Sequence, residues 1–222
     1  MKFTLQPRLF LYLVLSFIAA TIIGTITHEL GHIAVAKMLG YKTELHYGSM
    51  VAYDSSTEIE LEDKHKKEHP IDSNLISKYN HEQVLIIFGG PLQTIATGTI
   101  GFLLLWVNRK RIKSSLTAMQ WFFVFLAFFW SRQIFNFLLG VFYYLRSGRF
   151  ALSDEDFIRR HYKWNPWAID IIGSFIAAIL LAIVVFKLIP KQQRFTFLCS
   201  GITGSIIGFI FWMKILGPVI LP

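Results

Sequence analysis

Residues 9–39 read LFLYLVLSFIAATIIGTITHELGHIAVAKML. From Leu9 to Thr27 no charged side chain interrupts the run, which matches the roughly 20 apolar residues that a helix needs to cross the hydrocarbon core of a bilayer. The helical pattern does not stop at its first ionisable group: His28, Glu29 and His32 follow within it, and Gly40 stands where a helix C-cap belongs. The opening Met1-Lys2 superficially suggests a signal peptide. The pattern runs on through Ile26 and carries a chemical motif, so a retained span is expected instead.

Four further apolar blocks follow. They run from about Val84 to Val107, Trp121 to Leu145, Trp167 to Ile189 and Phe195 to Leu216. Gly89-Gly90-Pro91 is expected to break the start of the second span, while Pro190 and Gly217-Pro218 end the last two. More than half of the chain, 54%, is apolar, above the usual soluble share, and the excess is gathered in these blocks. The reading is an all-α polytopic membrane protein with about five transmembrane helices. It forms a single membrane-embedded domain over residues 1–222, with a three-helix core at about 9–157 and accessory helices at about 167–216. Trp106, Trp121, Trp164, Trp167 and Trp212 lie near block ends, where amphipathic rings favour the interface. Gly204 and Gly208 form a small-xxx-small pair that suits close helix packing.

The net charge is +8 at pH 7. Its Lys and Arg residues sit mainly between apolar blocks, where they anchor helix ends to headgroups, and no basic stripe suggests nucleic acid. Lys2, Arg8, Arg109-Lys110-Arg111, Lys191 and Arg194 share one face. The two longer loops, on the other face, carry similar numbers of Lys and Arg, so denser short-loop charge gives only a slight preference for a cytoplasmic N-terminus. A multi-pass protein of the cell membrane is expected. Cys199 is the single cysteine, which excludes an intrachain disulfide and any site built on several thiolates.

After Gly40 the period changes. Tyr41, Thr43, Leu45 and Tyr47, then Val51 and Tyr53, alternate with polar residues around Gly48-Ser49, which predicts a short β-hairpin at the membrane surface. The stretch Glu58 to His69 is dense in both charge signs and should be a solvated loop or short helix.

His28-Glu29-Leu30-Gly31-His32 is an HExxH motif. On an α-helix the two imidazoles share a face one turn apart and can bind one Zn²⁺, with Glu29 beside them as general base for a water on the metal. Each ionisable group at span depth costs about 2.5–3.5 kcal/mol on insertion scales, and a cation compensates this cluster. Gly31 leaves room for another backbone or a substrate. Catalytic zinc takes a third protein ligand. Candidates are Asp154, Glu155 and Asp156 after the third span, or His46, His65, His69 and His81 in the first loop. Asp154 also follows Ser153 at the start of a helical stretch, so an N-cap competes with the ligand reading.

HELGH within an apolar helix, Gly89-Gly90-Pro91-Leu92 in a later span, and Asn136 followed by Ser153-Asp154 together resemble the site-2 protease family of intramembrane zinc metalloproteases. The resemblance covers residues 10 to 157. It implies that His28 and His32 bind zinc, that Glu29 is the general base, and that Asp154 completes the site, with Asp156 as the alternative. Leu139 stands where the family usually has proline, Glu155 where it has glycine, and Gln93-Thr94 where it often has Ala-Asn. No peptide-binding domain is inserted, which implies a minimal member.

Arg132, Gln133 and Asn136 lie within the third span. Arg132 and Asn136 share a face and form either a polar wall of the site or an interhelical bond, with Asp170 at the start of the fourth span as the candidate partner. Asn136 is expected to orient substrate or donate to the developing oxyanion. The expected activity is hydrolysis of peptide bonds in membrane-spanning or peptide substrates. One rival is a membrane zinc protease with a glutamate third ligand, for which Glu155 is the candidate. Another is a non-catalytic, zinc-stabilised membrane protein that binds a partner or carries metal.

Overall fold

The computed structural model describes residues 4–53, 73–149, 153–165 and 167–222. The charge-dense stretch from Glu58 to His69, with His65 and His69, lies outside them. Five helical stretches are long and apolar enough to cross a membrane: Pro7–Met38, His81–Arg111, Ala118–Ser147, Ala168–Leu188 and Lys191–Ile220. The chain is thus an all-α membrane protein with one small two-stranded sheet after its first helix.

Helix α1 (Pro7–Met38) opens with a proline at its first position and closes at Gly40, whose φ is +92°. Gly40 N–H bonds to Lys37 O at 3.1 Å and Tyr41 N–H to Ala36 O at 3.0 Å, the two bonds of a Schellman cap. Strands β1 (Lys42–Leu45) and β2 (Met50–Tyr53) then pair antiparallel, with Leu45 opposite Met50. The turn is closed by His46 N–H on Ser49 O at 2.9 Å. Its tip is clipped to the end of the chain: Tyr47 N–H donates to Leu221 O at 3.0 Å, and Trp212 Nε1–H donates to Tyr47 O at 2.7 Å. Trp212 is therefore buried beneath the hairpin, at 2% exposure.

Helix α2 (Ser73–Val107) runs unbroken through Pro91, against the expected break. The proline leaves one carbonyl without its helical donor but does not end the helix, because neighbouring helices hold the segment from both sides. The third span is α3 (Ala118–Ala127) joined through a 3₁₀ turn at Phe128–Trp130 to α4 (Ser131–Ser147). A Thr117–Gln120 capping box starts it. Short helix α5 (Asp154–Tyr162) precedes α6 (Ala168–Ile183), α7 (Lys191–Ile210) and the terminal turn α8 (Gly217–Ile220).

In lipid the apolar exterior does not drive helices together, so close contact and polar bonds must. Helix α1 packs chiefly on α7 and α2. A Cβ on Gly204 would meet Val14 O and Phe17 Cβ, both at 2.7 Å, and one on Gly208 would meet Ile18 Cα at 2.9 Å. The expected close-packing face is thus the α1–α7 contact. Ser200 Oγ reaches Phe10 O at 3.3 Å across it, and Gln6 N–H donates to Thr196 Oγ1 at 3.0 Å. Phe17, Phe125, Phe128 and Phe197 fill the same end of the bundle, with ring centroids 4.9–6.0 Å apart.

Gly204→Val should therefore lower stability by about 1–3 kcal/mol through overpacking. Ile202→Ala, at a site 67% exposed, should change it by no more than about 0.5 kcal/mol. Thermal unfolding of both variants in detergent checks the contrast.

Candidate metal centre

The motif sits near one end of α1. Counted from Met38 at about 1.5 Å per residue, His28 lies about 15 Å along the axis. At this level α1 and α2 touch backbone to backbone. A Cβ on Gly31 would stand 2.5 Å from Gly89 O and 2.8 Å from Gln93 Cβ, and one on Gly89 would strike Gly31 O. Only a pair of glycines permits that approach.

The contact places polar groups of α2 behind both imidazoles. His32 Nδ1 lies 2.9 Å from Ile86 O, which can only accept, so Nδ1 carries the proton. The Gly90 amide, 3.2 Å from the same nitrogen, is then a neighbour and not a donor to it. His28 Nδ1 lies 2.9 Å from Thr94 Oγ1, whose hydroxyl donates to Gly90 O at 3.1 Å. The hydroxyl lone pair is left to accept from Nδ1–H of His28. Both rings thereby turn an unprotonated Nε2 inward, the form that binds metal.

Those two atoms lie 3.2 Å apart, and Asp154 Oδ2 stands 2.8 Å from His28 Nε2 and 3.6 Å from His32 Nε2. Three ligands about 2.0–2.2 Å from a tetrahedral ion stand about 3.4 Å from one another, close to two of these three separations. The donor set fits a metal ion: the three ligand atoms all lie within 4.8 Å, and His28 and His32 are 1% and 6% exposed. Three lone pairs facing one another in a buried site need a proton or a cation among them. Gly90 completes the cradle. A Cβ there would collide with His32 Nε2 and lie 2.6 Å from His28 Nε2, in the space the ligand atoms face.

The three acids of α5 have separate partners. The cap falls to Ser153, whose Oγ accepts from Asp156 N at 3.1 Å, which frees Asp154 for the histidines. Glu155, 3% exposed, accepts from Asn136 Nδ2 at 3.1 and 3.2 Å. Asp156 pairs with Arg159 and, at 2.8 Å, with Arg160 Nη2. Neither Glu155 nor Asp156 joins the histidines, and His46 lies at the hairpin turn beside Pro222 O.

Of the residues singled out in the sequence, His28, His32 and Asp154 come together. Glu29 adjoins them on α1, 7% exposed and without a hydrogen-bond partner among the described residues. Asn136 stands one step away, through Glu155. Arg132 makes no bond to Asp170 among the described residues; its Nε is buried without a partner, and its charge acts on both His28 and Glu29. Thr94, the Ile86 carbonyl and Gly90 escaped sequence reasoning. A threonine one turn beyond Gly90 in an apolar block was the one available signal.

Gly90→Ala should weaken metal retention about 10-fold or more. Gly24→Ala, whose Cβ meets only Phe129 Cζ at 3.9 Å, should leave it unchanged. Metal analysis after chelator competition, with His28→Ala and Asp154→Ala as metal-free references, reads the difference.

No family model, curated protein or solved structure matches this chain.

Proposed function

We propose that this protein is an intramembrane zinc metalloprotease of the cell membrane that hydrolyses peptide bonds of membrane-spanning substrates. One observation carries the reading: two imidazole nitrogens of an apolar helix and one carboxylate oxygen converge within 4.8 Å of one another, with Glu29, which has no hydrogen-bond partner among the described residues, beside them on α1. The same residues carry the resemblance to the site-2 protease family. Asp154 is preferred to a glutamate third ligand because Glu155 is held by Asn136.

His28, His32 and Asp154 would hold the zinc. When bound, zinc supplies Lewis acidity and brings the pKa of water down to about 7. Glu29 accepts the proton of the attacking water and returns it to the amine nitrogen as the C–N bond breaks, so the proton balance closes on one carboxylate. Thr94 and Ile86 O keep the two rings in their tautomers throughout. Asn136 steadies Glu155, and through it the start of α5, while the Arg132 charge, which acts on both His28 and Glu29, favours the negative charge that develops on the substrate carbonyl oxygen. An extended substrate can lie along β1, since the turn bond at His46 leaves the Leu45 amide facing away from β2.

Glu29→Gln should keep the metal and lower cleavage of a membrane-peptide panel by about 10²–10⁴-fold. Retained cleavage would remove Glu29 as the base, and an intact cellular phenotype without cleavage would favour a metal-stabilised binding protein.

Arg132→Gln should keep the metal and lower turnover by about 10²–10³-fold. A change confined to metal content would make Arg132 a structural residue.

Leu45→Pro should lower cleavage about fivefold with the metal retained. Unchanged cleavage would exclude substrate addition to β1.

A further inference from the structure

The face where α1 begins carries no acidic residue: none occurs before Glu29, between Glu82 and Asp154, or after Asp170. On that face the segment after α2 and the junction of α6 with α7 line an open cavity of about 580 Å³. Arg109, Lys113, Lys187, Lys191 and Arg194 line it, and no carboxylate does. Among the described residues none of these five cations has an ion-pair partner. Lys113, Lys187 and Lys191 are exposed, while the two arginines are fixed in place. Arg109 stacks on Trp106 at 4.4 Å and donates to Trp106 O at 2.8 Å, and Arg194 Nε donates to Ile189 O at 2.8 Å. Gln193, 6% exposed, accepts from Leu116 N–H at 3.0 Å and so fixes one wall to the other.

Like charges from two segments distant in sequence repel one another unless an anion lies between them. The floor is apolar, with Leu188 and Ile189 buried at 5% and 0% exposure. Val107 and Phe186, 74% and 63% exposed, are the apolar chain neighbours of the lining residues Trp106 and Lys187. Charge above, an interfacial tryptophan at the rim and apolar flanks below suit an amphiphile better than a soluble ion.

We propose that this cavity binds the phosphodiester headgroup of an anionic phospholipid, with its acyl chains running down the bundle beside Val107 and Phe186. The site lies at the opposite membrane face from His28 and Asp154 and is independent of the hydrolytic reading.

The test uses the full chain in nanodiscs of phosphatidylcholine doped with phosphatidylglycerol, with co-purified lipid read by native mass spectrometry. Wild type should retain phosphatidylglycerol over phosphatidylcholine. Each lysine removed should lower that preference about fivefold, so the triple change Lys113→Gln, Lys187→Gln and Lys191→Gln lowers it about a hundredfold. Lys113→Arg should retain it, and so should Lys110→Gln with Arg111→Gln, outside the cavity. Thermal unfolding is measured for every variant, and single lysine changes replace the triple if it melts early. An equal loss on changing Lys110 and Arg111 means general interfacial charge and overturns the site. Displacement of the lipid by millimolar inorganic phosphate means a soluble anion is the ligand and overturns the lipid assignment. Binding that resists phosphate and fails only with the cavity lysines supports it.

Discussion

The contact of Gly31 with Gly89 is the constraint from which the rest of the site follows. Two helices whose backbones touch bring their side chains and carbonyls into one plane, and here that plane holds both imidazoles of α1 and the Ile86, Gly90 and Thr94 groups of α2. Any side chain at either glycine would part the helices by a good fraction of its own width. The Nδ1 partners would then be lost first, since hydrogen bonds weaken steeply beyond about 3.2 Å. The histidines would remain on α1 but no longer in a fixed tautomer. The motif supplies ligands, and the glycine pair turns them into a site.

The same economy of contact runs through the bundle. Large apolar side chains such as Leu11, Ile172 and Ile202 face outward, 58%, 60% and 67% exposed, as they would against lipid. Burial of apolar surface therefore adds little between spans once they are inserted. What distinguishes this arrangement from another packing of the same five helices is small residues at crossings and polar groups that find partners only here. Gly204 and Gly208 against α1, Ser200 on the Phe10 carbonyl, and Trp212 on the Tyr47 carbonyl are contacts of that kind.

The spans, the hairpin, the Gly40 cap and the close-packing face at Gly204 and Gly208 were legible in the sequence because each rests on a local pattern: apolar run length, a change of period, or a small residue at helical spacing. One expectation failed where tertiary contact overrode the local signal. Gly89-Gly90-Pro91 reads as a helix break, yet the glycines serve an interhelical approach and the proline is carried within a continuous helix. For the site, HExxH was visible because His28, Glu29 and His32 lie within about one turn of α1. Thr94 was not, because its role depends on which helix α1 meets and at what height, and no local pattern records that. Asn136 was visible as a costly polar group at depth, while its partner Glu155 could emerge only once α5 folded back beside α4.

The division of work on α5 explains why the third ligand stands outside the long spans. A carboxylate fixed within a span would have to enter the bilayer with no compensating charge of its own. Asp154 instead begins a short helix in which Ser153 caps the N-terminus, Asp156 is tied to Arg159 and Arg160, and Glu155 is tied to Asn136 on α4. Each bond fixes a different degree of freedom: the helix start, the turn below it, and its position against the third span. Asp154 alone is left to meet the histidines, at 25% side-chain exposure where they are nearly closed off. The more open side of the cluster is therefore the side of α5, with His28 and His32 closed in behind it.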